Sequence, residues 1–243
     1  MLKQDIYVIE KNKCIAKNTY EMILSGDTKA FTAPGQFLNI KLDGFYLRRP
    51  ISVHNYSKNE LTLLYKVLGR GTNDLSKYQI GKELDVLVGL GNGFDISKSN
   101  KPLLIAGGIG IAPMYNLALL FNKLGIKPTL IYGVSRESDL VLIDEFSKIC
   151  NLIICSDDGS HGFKGNVVSY LKENKIDFDK YYACGPQLML KYLKQYSENG
   201  YVSLEARMGC GFGACMGCSI ETTHGPKRVC KEGPVFEASE VLF

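Results

Sequence analysis

The sequence has no apolar run long enough to cross a bilayer. Its longest stretches, such as residues 102–106, fall far short of the roughly 20 residues a spanning helix needs. Residues 1–10 do not join a basic n-region to an apolar h-region, so no signal peptide is expected. No block of like charge occurs either. The 29 Lys and Arg residues stand against 25 Asp and Glu, and the net charge of +4 is too small and too dispersed for a nucleic-acid or anionic-membrane surface. Internal repeats and low-complexity segments are missing as well, which argues against solenoid and linker-type chains. These absences predict a cytoplasmic protein with neither nucleic acid nor membrane as a partner. In a reducing compartment its eight cysteines are not a disulfide framework.

What is present is the composition of a globular enzyme. The 243 residues are 45% hydrophobic and 22% charged, enough for two domains of common size and a small appendage. Up to residue 97 the chain reads as strands. Residues 5–10, 20–24, 36–42, 51–55, 61–67 and 83–89 are short, β-branched or aromatic-rich, and bounded by turn residues. Six such runs predict a small antiparallel β-barrel over residues 1–97. Residues 91–95 and 97–100 are polar and predict a flexible end to it.

Residues 98–204 alternate instead between strand and helix. Strands are expected at 102–106, 129–133, 152–155, 180–183 and 202–204, with helices at 113–124, 142–148, 167–173 and 187–199. This is the grammar of a doubly wound parallel-sheet α/β domain. Residues 205–243 form a small C-terminal domain, too short for an apolar core of its own, so metal ligation is expected to supply its folding energy.

Cys210, Cys215, Cys218 and Cys230 carry the sharpest signal. Their spacing, C-x4-C-x2-C-x11-C, is the plant-type pattern for four thiolates around a [2Fe–2S] cluster. Gly209, Gly211, Gly213, Ala214 and Gly217 let the backbone curl closely around a cluster and bring amides to its sulfides. Structural zinc is the main rival, but it normally shows two C-x2-C knuckles or a mixture with His. Here only Cys215 and Cys218 form a knuckle, with His224 as a spare donor. Disulfides among three crowded cysteines have poor geometry. The remaining cysteines, Cys14, Cys150, Cys155 and Cys184, are expected as small buried hydrophobes.

Two further regions suit nucleotides. In the barrel, Arg48 and Arg49 precede Pro50, Ile51 and Ser52, and an Arg fork matches a pyrophosphate. The next strand, with Leu64, Tyr65 and Lys66, runs into Gly69, Arg70, Gly71 and Thr72, read as a turn whose amides form an anion-binding nest. A basic strand end followed by a solvated turn is the plain alternative. In the α/β part, Gly107, Gly108 and Gly110 with Pro113 link the first strand to the first helix, where a dinucleotide would lie over the helix N-terminus. The last glycine of G-x-G-x-x-G and the usual ribose acid are absent, so a variant of the standard site is expected. Cys184, Gly185 and Pro186 end a later strand at the same edge. Cys184 is either a buried small residue or a neighbour of a redox centre. Arg136 is either a surface charge or a holder of a 2′-phosphate.

In this order the motifs resemble the ferredoxin–NADP+ reductase superfamily. Arg49-Pro50-Ile51-Ser52 is similar to its flavin motif with one extra residue. Gly108 to Pro113 and Cys184-Gly185-Pro186 are similar to its two nicotinamide motifs. With Glu205, Arg207, Met208 and the cysteine loop added, nearly the whole chain resembles the electron-transfer subunits of type B dihydroorotate dehydrogenases. The resemblance implies FAD along Arg49, Pro50, Ile51, Ser52, Leu64, Tyr65 and Lys66, with its phosphates at Gly71 and Thr72. It implies NADH near Gly108, Gly110, Cys184, Gly185 and Pro186, and a [2Fe–2S] cluster on Cys210, Cys215, Cys218 and Cys230. It also implies an FMN-containing catalytic subunit as partner, in a heterotetramer of two plus two, serving pyrimidine synthesis. Two other readings remain: the small subunit of an NADH-dependent ferredoxin:NADP+ oxidoreductase or hydrogenase diaphorase, and a zinc-stabilised nucleotide-binding regulator.

Overall fold

The computed structural model describes residues 2–97 and 99–243. All six predicted N-terminal strands form: β1 (Lys3–Ala16), β2 (Thr19–Ser25), β3 (Phe37–Ile40), β4 (Arg49–Tyr56), β5 (Glu60–Lys66) and, after one short helix α1 (Arg70–Leu75), β6 (Glu83–Leu90). They close into a barrel in the order β1-β2-β5-β4-β3-β6, with antiparallel pairing throughout. Strict alternation makes this possible. In β6, Leu84, Val86, Val88 and Leu90 are buried while the residues between them are not, so one face fills the barrel and the other is free for contacts. The predicted nest at residues 69–72 is instead the start of α1, with Gly69 as its N-cap.

The second layer is the expected α/β domain. Its elements are β7 (Pro102–Gly107), α2 (Met114–Lys123), β8 (Thr129–Val134), α3 (Ile143–Ile149), β9 (Asn151–Ser156), β10 (Phe163–Lys164), α4 (Val167–Glu173), β11 (Lys180–Cys184), α5 (Gln187–Tyr196) and β12 (Gly200–Ser203). Every residue of β7 is buried, as an apolar strand covered on both faces requires. The C-terminal segment adds β13 (Ser219–Ile220), β14 (Lys227–Arg228) and β15 (Val235–Glu237). The sheet order is β10-β9-β8-β7-β11-β12-β15, parallel except for the antiparallel edge strand β15. The order in which the chain adds strands reverses at β7, outward to β8, β9 and β10 on one side and to β11 and β12 on the other, and this is the switch point where ligands enter such folds.

Three expectations need correction. The supposedly flexible end of the barrel is pinned: Asn92 Nδ2 donates to the carbonyls of Glu232 (2.9 Å) and Val235 (2.8 Å), and Phe94 is buried in the α/β core. Lys98, part of that stretch, lies outside the described residues. The C-terminal segment borrows its core, since Val229, Cys230, Phe236 and Val241 pack in one cluster with Leu103 and Tyr181 of the sheet. Its folding energy therefore does not rest on ligation alone. Cys14 is exposed, on the outer face of a barrel strand, whereas Cys150, Cys155 and Cys184 are buried.

Barrel and sheet meet along β4 and α2. His54 is buried there, its Nδ1 2.9 Å from the carbonyl of Ala112, with its ring stacked on Tyr115 at 4.7 Å. Asn116 Nδ2 donates to Asn55 Oδ1 at 2.9 Å. Among the described residues no helix is long and apolar enough to cross a membrane.

Candidate functional site

Two clefts open between barrel and sheet. The first, of about 220 Å³, is lined on the barrel side by Phe37, Pro50, Ile51, Ser52, Leu64, Tyr65, Lys66 and Thr72. Across from these stand Ile109, Ala112, Cys184, Glu205, Ala206 and Met208. The pleat sorts these residues into two kinds. Ile51 and Tyr65 turn into the barrel core, where Tyr65 donates its hydroxyl to Asn12 Oδ1 at 2.8 Å. They therefore offer the cleft mainly backbone, and Ile51 does not occupy the place of a stacking aromatic. Pro50, Ser52 and Lys66 belong to the opposite side of the pleat.

Arg49 lies outside the lining of this cleft but packs on the start of α1. A Cβ at Gly71 would stand 2.3 Å from Arg49 Nε, so glycine is what lets the guanidinium reach the helix. Arg49 and Arg70 both lie over the Phe45 ring, at 4.6 and 5.8 Å. Thr72 Oγ1 accepts from the amides of Leu68 (3.0 Å) and Gly69 (3.3 Å). The two guanidinium groups thus flank the start of α1, whose first amides have no partners within the helix. That arrangement suits a pyrophosphate. The structure brings Arg49, expected at the flavin, beside Gly71 and Thr72, expected at its phosphates, and adds Arg70 to them.

The second cleft, of about 400 Å³, is lined by Gly107, Gly108, Ile109, Val134, Ser135, Asp139, Asp157, Asn166, Pro186 and Met189 among others. Lys66 and Ile109 wall both clefts, so two ligands bound in them would be neighbours. Gly108 has φ +53 and open space where a side chain would project, which fits a ligand lying over the loop. Gly110 and Gly185 line neither cleft. A Cβ at Gly110 would lie 2.2 Å from the Cys184 carbonyl oxygen, and one at Gly185 would lie 2.9 Å from Gly107. Their role is to let the loops after β7 and β11 touch, rather than to cradle a ligand directly. Arg136 does not line the cleft, whereas the carboxylates of Asp139 and Asp157 do. Sequence spacing missed both because they come from loops after β8 and β9. Burial pushes the Cys184 thiol up to about 12, so it faces the first cleft as a neutral group.

The cysteine loop begins as a wall of the first cleft, through Ala206 and Met208. Its thiols associate two and two. Backbone amides of Ala214 and Cys215 point at Cys210 Sγ (3.2 and 3.5 Å), and the amide of Cys230 points at Cys218 Sγ (3.4 Å). The Cys210 thiol interacts most with Cys215, and the Cys230 thiol with Cys218 and then Cys210. Burial opposes ionisation of Cys210, yet the amides of Cys215, Phe212 and Ala214 overcome it and bring the thiol down to about 6. Burial pushes Cys230 up to about 12, helped by the Cys218 thiol. Arg228 fastens the loop, donating from Nη1 to the Gly213 carbonyl at 2.5 Å and pairing with Glu232. Two pairs of thiols, each served by backbone amides, fit a two-iron cluster in which every iron takes two thiolates. Among the described residues no three His, Cys, Asp or Glu side chains gather around a single metal ion.

Residues 205–242 match the iron–sulfur cluster binding domain of dihydroorotate dehydrogenase B, and residues 104–195 match the oxidoreductase NAD-binding domain. The electron transfer subunit of dihydroorotate dehydrogenase B (NAD(+)) from Fusobacterium nucleatum is 42% identical to this chain, over 99% of each. The chain belongs to this family. The subunit of the same name from Geobacillus sp. is also 42% identical, over the full length of both. Among solved structures, a chain of the NADH-dependent reduced ferredoxin-NADP oxidoreductase superposes with a TM-score of 0.88 at 30% identity, covering 98% of this chain and 90% of that one. As a dihydroorotate dehydrogenase B electron-transfer subunit, the chain is an oxidoreductase component built for FAD, NADH and a [2Fe–2S] cluster. The two clefts and the start of the cysteine loop are contiguous.

Proposed function

We infer that this chain carries electrons between NADH and the catalytic subunit of a dihydroorotate dehydrogenase, in the pathway that makes pyrimidines de novo. One observation carries the reading: the cysteine loop starts as a wall of the flavin cleft, and that cleft shares Lys66 and Ile109 with the nucleotide cleft. When bound, FAD supplies a two-electron acceptor for hydride that also releases electrons singly, and the [2Fe–2S] cluster supplies a one-electron carrier.

The chain's own residues position that chemistry. Arg49 with the α1 start at Gly71 and Thr72 holds the flavin pyrophosphate. Pro50, Ser52, Leu64 and Lys66 line the flavin by side chain, and Ile51 and Tyr65 line it by backbone. Gly108 and Pro186 shape the nicotinamide entry, while Gly110 and Gly185 keep Cys184 close beside it. Asp139 pairs with Lys66 at 3.8 Å, while Asp157 lines the nucleotide cleft with negative charge, which disfavours a 2′-phosphate and favours NADH over NADPH. Cys210, Cys215, Cys218 and Cys230 ligate the cluster. Exposed Phe212, Cys215 and Met216 form an apolar rim suited to a docking partner. That partner is an FMN-containing subunit in a cytoplasmic heterotetramer of two plus two.

The test is Cys215→Ser in the assembled complex. Flavin reduction by NADH should proceed at the wild-type rate while electron delivery to the catalytic subunit is abolished. Partner reduction at the wild-type rate would remove the cluster from the path. Recovery of the native protein with a ferredoxin-linked flavoprotein in place of an FMN subunit would favour the second reading, which the 0.88 TM-score keeps in view.

A further inference from the structure

Asn39 is a buried amide of the barrel that lines neither the flavin nor the nucleotide cleft. It lies in β3 and is 1% exposed, yet its Oδ1 has no hydrogen-bond partner. An unpaired buried oxygen is destabilising, and such exceptions call for a specific reason. Leu38 and Ile40 fill the barrel interior, so Asn39 projects from the outer face, as does Phe37 of the flavin cleft. Its cross-strand neighbours are Pro50 on β4 and Leu87 on β6. Pro50 lines the flavin cleft, and Leu87 packs against the same core as Met208 and Cys210.

The amide is aimed at the cysteine loop. A Cβ at Gly211 would fall 1.8 Å from Asn39 Nδ2. Gly211 has φ +79 and follows the ligand Cys210 directly, so glycine there serves both the turn and the approach of the Asn39 side chain. A polar group from a flavin-side strand thus occupies the space left open beside a cluster ligand, with Nδ2 turned to the loop and Oδ1 unpartnered.

We propose that Asn39 is a positioning residue for the iron–sulfur centre: its amide hydrogen-bonds the ligated Cys210 loop, ties that loop to the flavin barrel and raises the cluster's reduction potential. Donors directed at cluster sulfurs stabilise the added electron. The proposal rests on the cluster assignment above and goes beyond it by naming a residue 171 positions upstream of the first ligand, the difference between 210 and 39. No donor of this kind was expected from the barrel sequence.

The experiment compares Asn39→Leu and Asn39→Asp with the wild type as full-length, cofactor-loaded protein. Leu keeps the volume and removes the donor; Asp keeps the shape and replaces the donor with a negative oxygen. Iron content, the electron paramagnetic resonance spectrum of the reduced cluster, its midpoint potential and the flavin potential are measured. Potentials should fall in the order Asn, Leu, Asp. In Asn39→Leu the reduced-to-oxidised ratio at fixed ambient potential should drop about tenfold, which is about 59 mV for a one-electron couple. Flavin potential and NADH-driven flavin reduction should stay unchanged. Unchanged cluster potentials at full iron content, or iron loss in both variants without that ordering, would overturn the proposal. Wild-type protein that binds zinc and no iron would overturn the underlying cluster assignment instead, and is told apart by metal analysis alone.

Discussion

Gly108 and Gly110 stand two residues apart and are glycine for different reasons. Gly108 has a positive φ and empty space beyond it, whereas Gly110 is pressed against the Cys184 carbonyl. The motif containing both was legible in the sequence. The division of labour was not, because only the fold brings the loop after β11 against the loop after β7. Gly110→Ala should therefore push those loops apart, costing roughly 1–3 kcal/mol of stability as overpacking does, and should raise the KM for NADH more than it lowers flavin content. Denaturant unfolding and steady-state kinetics check the two effects. Wild-type KM would mean that the contact does not shape the nucleotide cleft. Tyr65 and Ile51 teach the same lesson. Both were expected along a flavin and both line the first cleft, but strand alternation turns their side chains into the barrel.

At the level of elements, every strand and helix read from periodicity is present, with ends shifted by a few residues. The errors fall where local pattern and tertiary contact disagree. Residues 69–72 look like a turn because glycine and threonine favour turns, yet they start α1 because Thr72 closes onto the amides before it. Residues 91–95 look like a linker because they are polar and glycine-rich, yet Asn92 spends its amide on Glu232 and Val235. β15 was not expected at all, since a strand of three residues carries little periodicity. It matters because Phe236 anchors the cysteine segment in the sheet's core. Phe236→Ala should cost roughly 3–5 kcal/mol. Because the loss falls on the anchor of the cluster segment, iron content should decline before flavin content as temperature rises. Simultaneous loss of both cofactors would show that the segment is not separately anchored.

For the molecule as a whole, the seam between barrel and sheet carries a built-in acid limit. Burial lowers the pKa of His54 to about 4, against which the Ala112 carbonyl works only in part. In the unfolded chain the ring titrates near 6.5. The native state binds fewer protons between those values, so His54's contribution is fully present above pH 6.5. It is lost as pH falls toward 4, by on the order of 3 kcal/mol. His54→Gln should flatten the stability profile between pH 6.5 and 4.5 in denaturant titrations; an unchanged slope there would place the acid sensitivity elsewhere. Because the flavin and nucleotide clefts lie along this seam, acid should also loosen cofactor binding before it melts the barrel.

The elements were legible in the sequence, and so was the cysteine spacing behind the proposed cluster ligands, because periodicity, turn chemistry and residue spacing are local. Tertiary structure alone decided that the cysteine segment completes the sheet, that Asp139 and Asp157 face the nucleotide cleft, and that Asn39 meets Gly211. Each of those facts joins residues far apart in the chain. Their partners are set by strand order and by which side of a pleat a residue occupies, and no window of neighbouring residues encodes that.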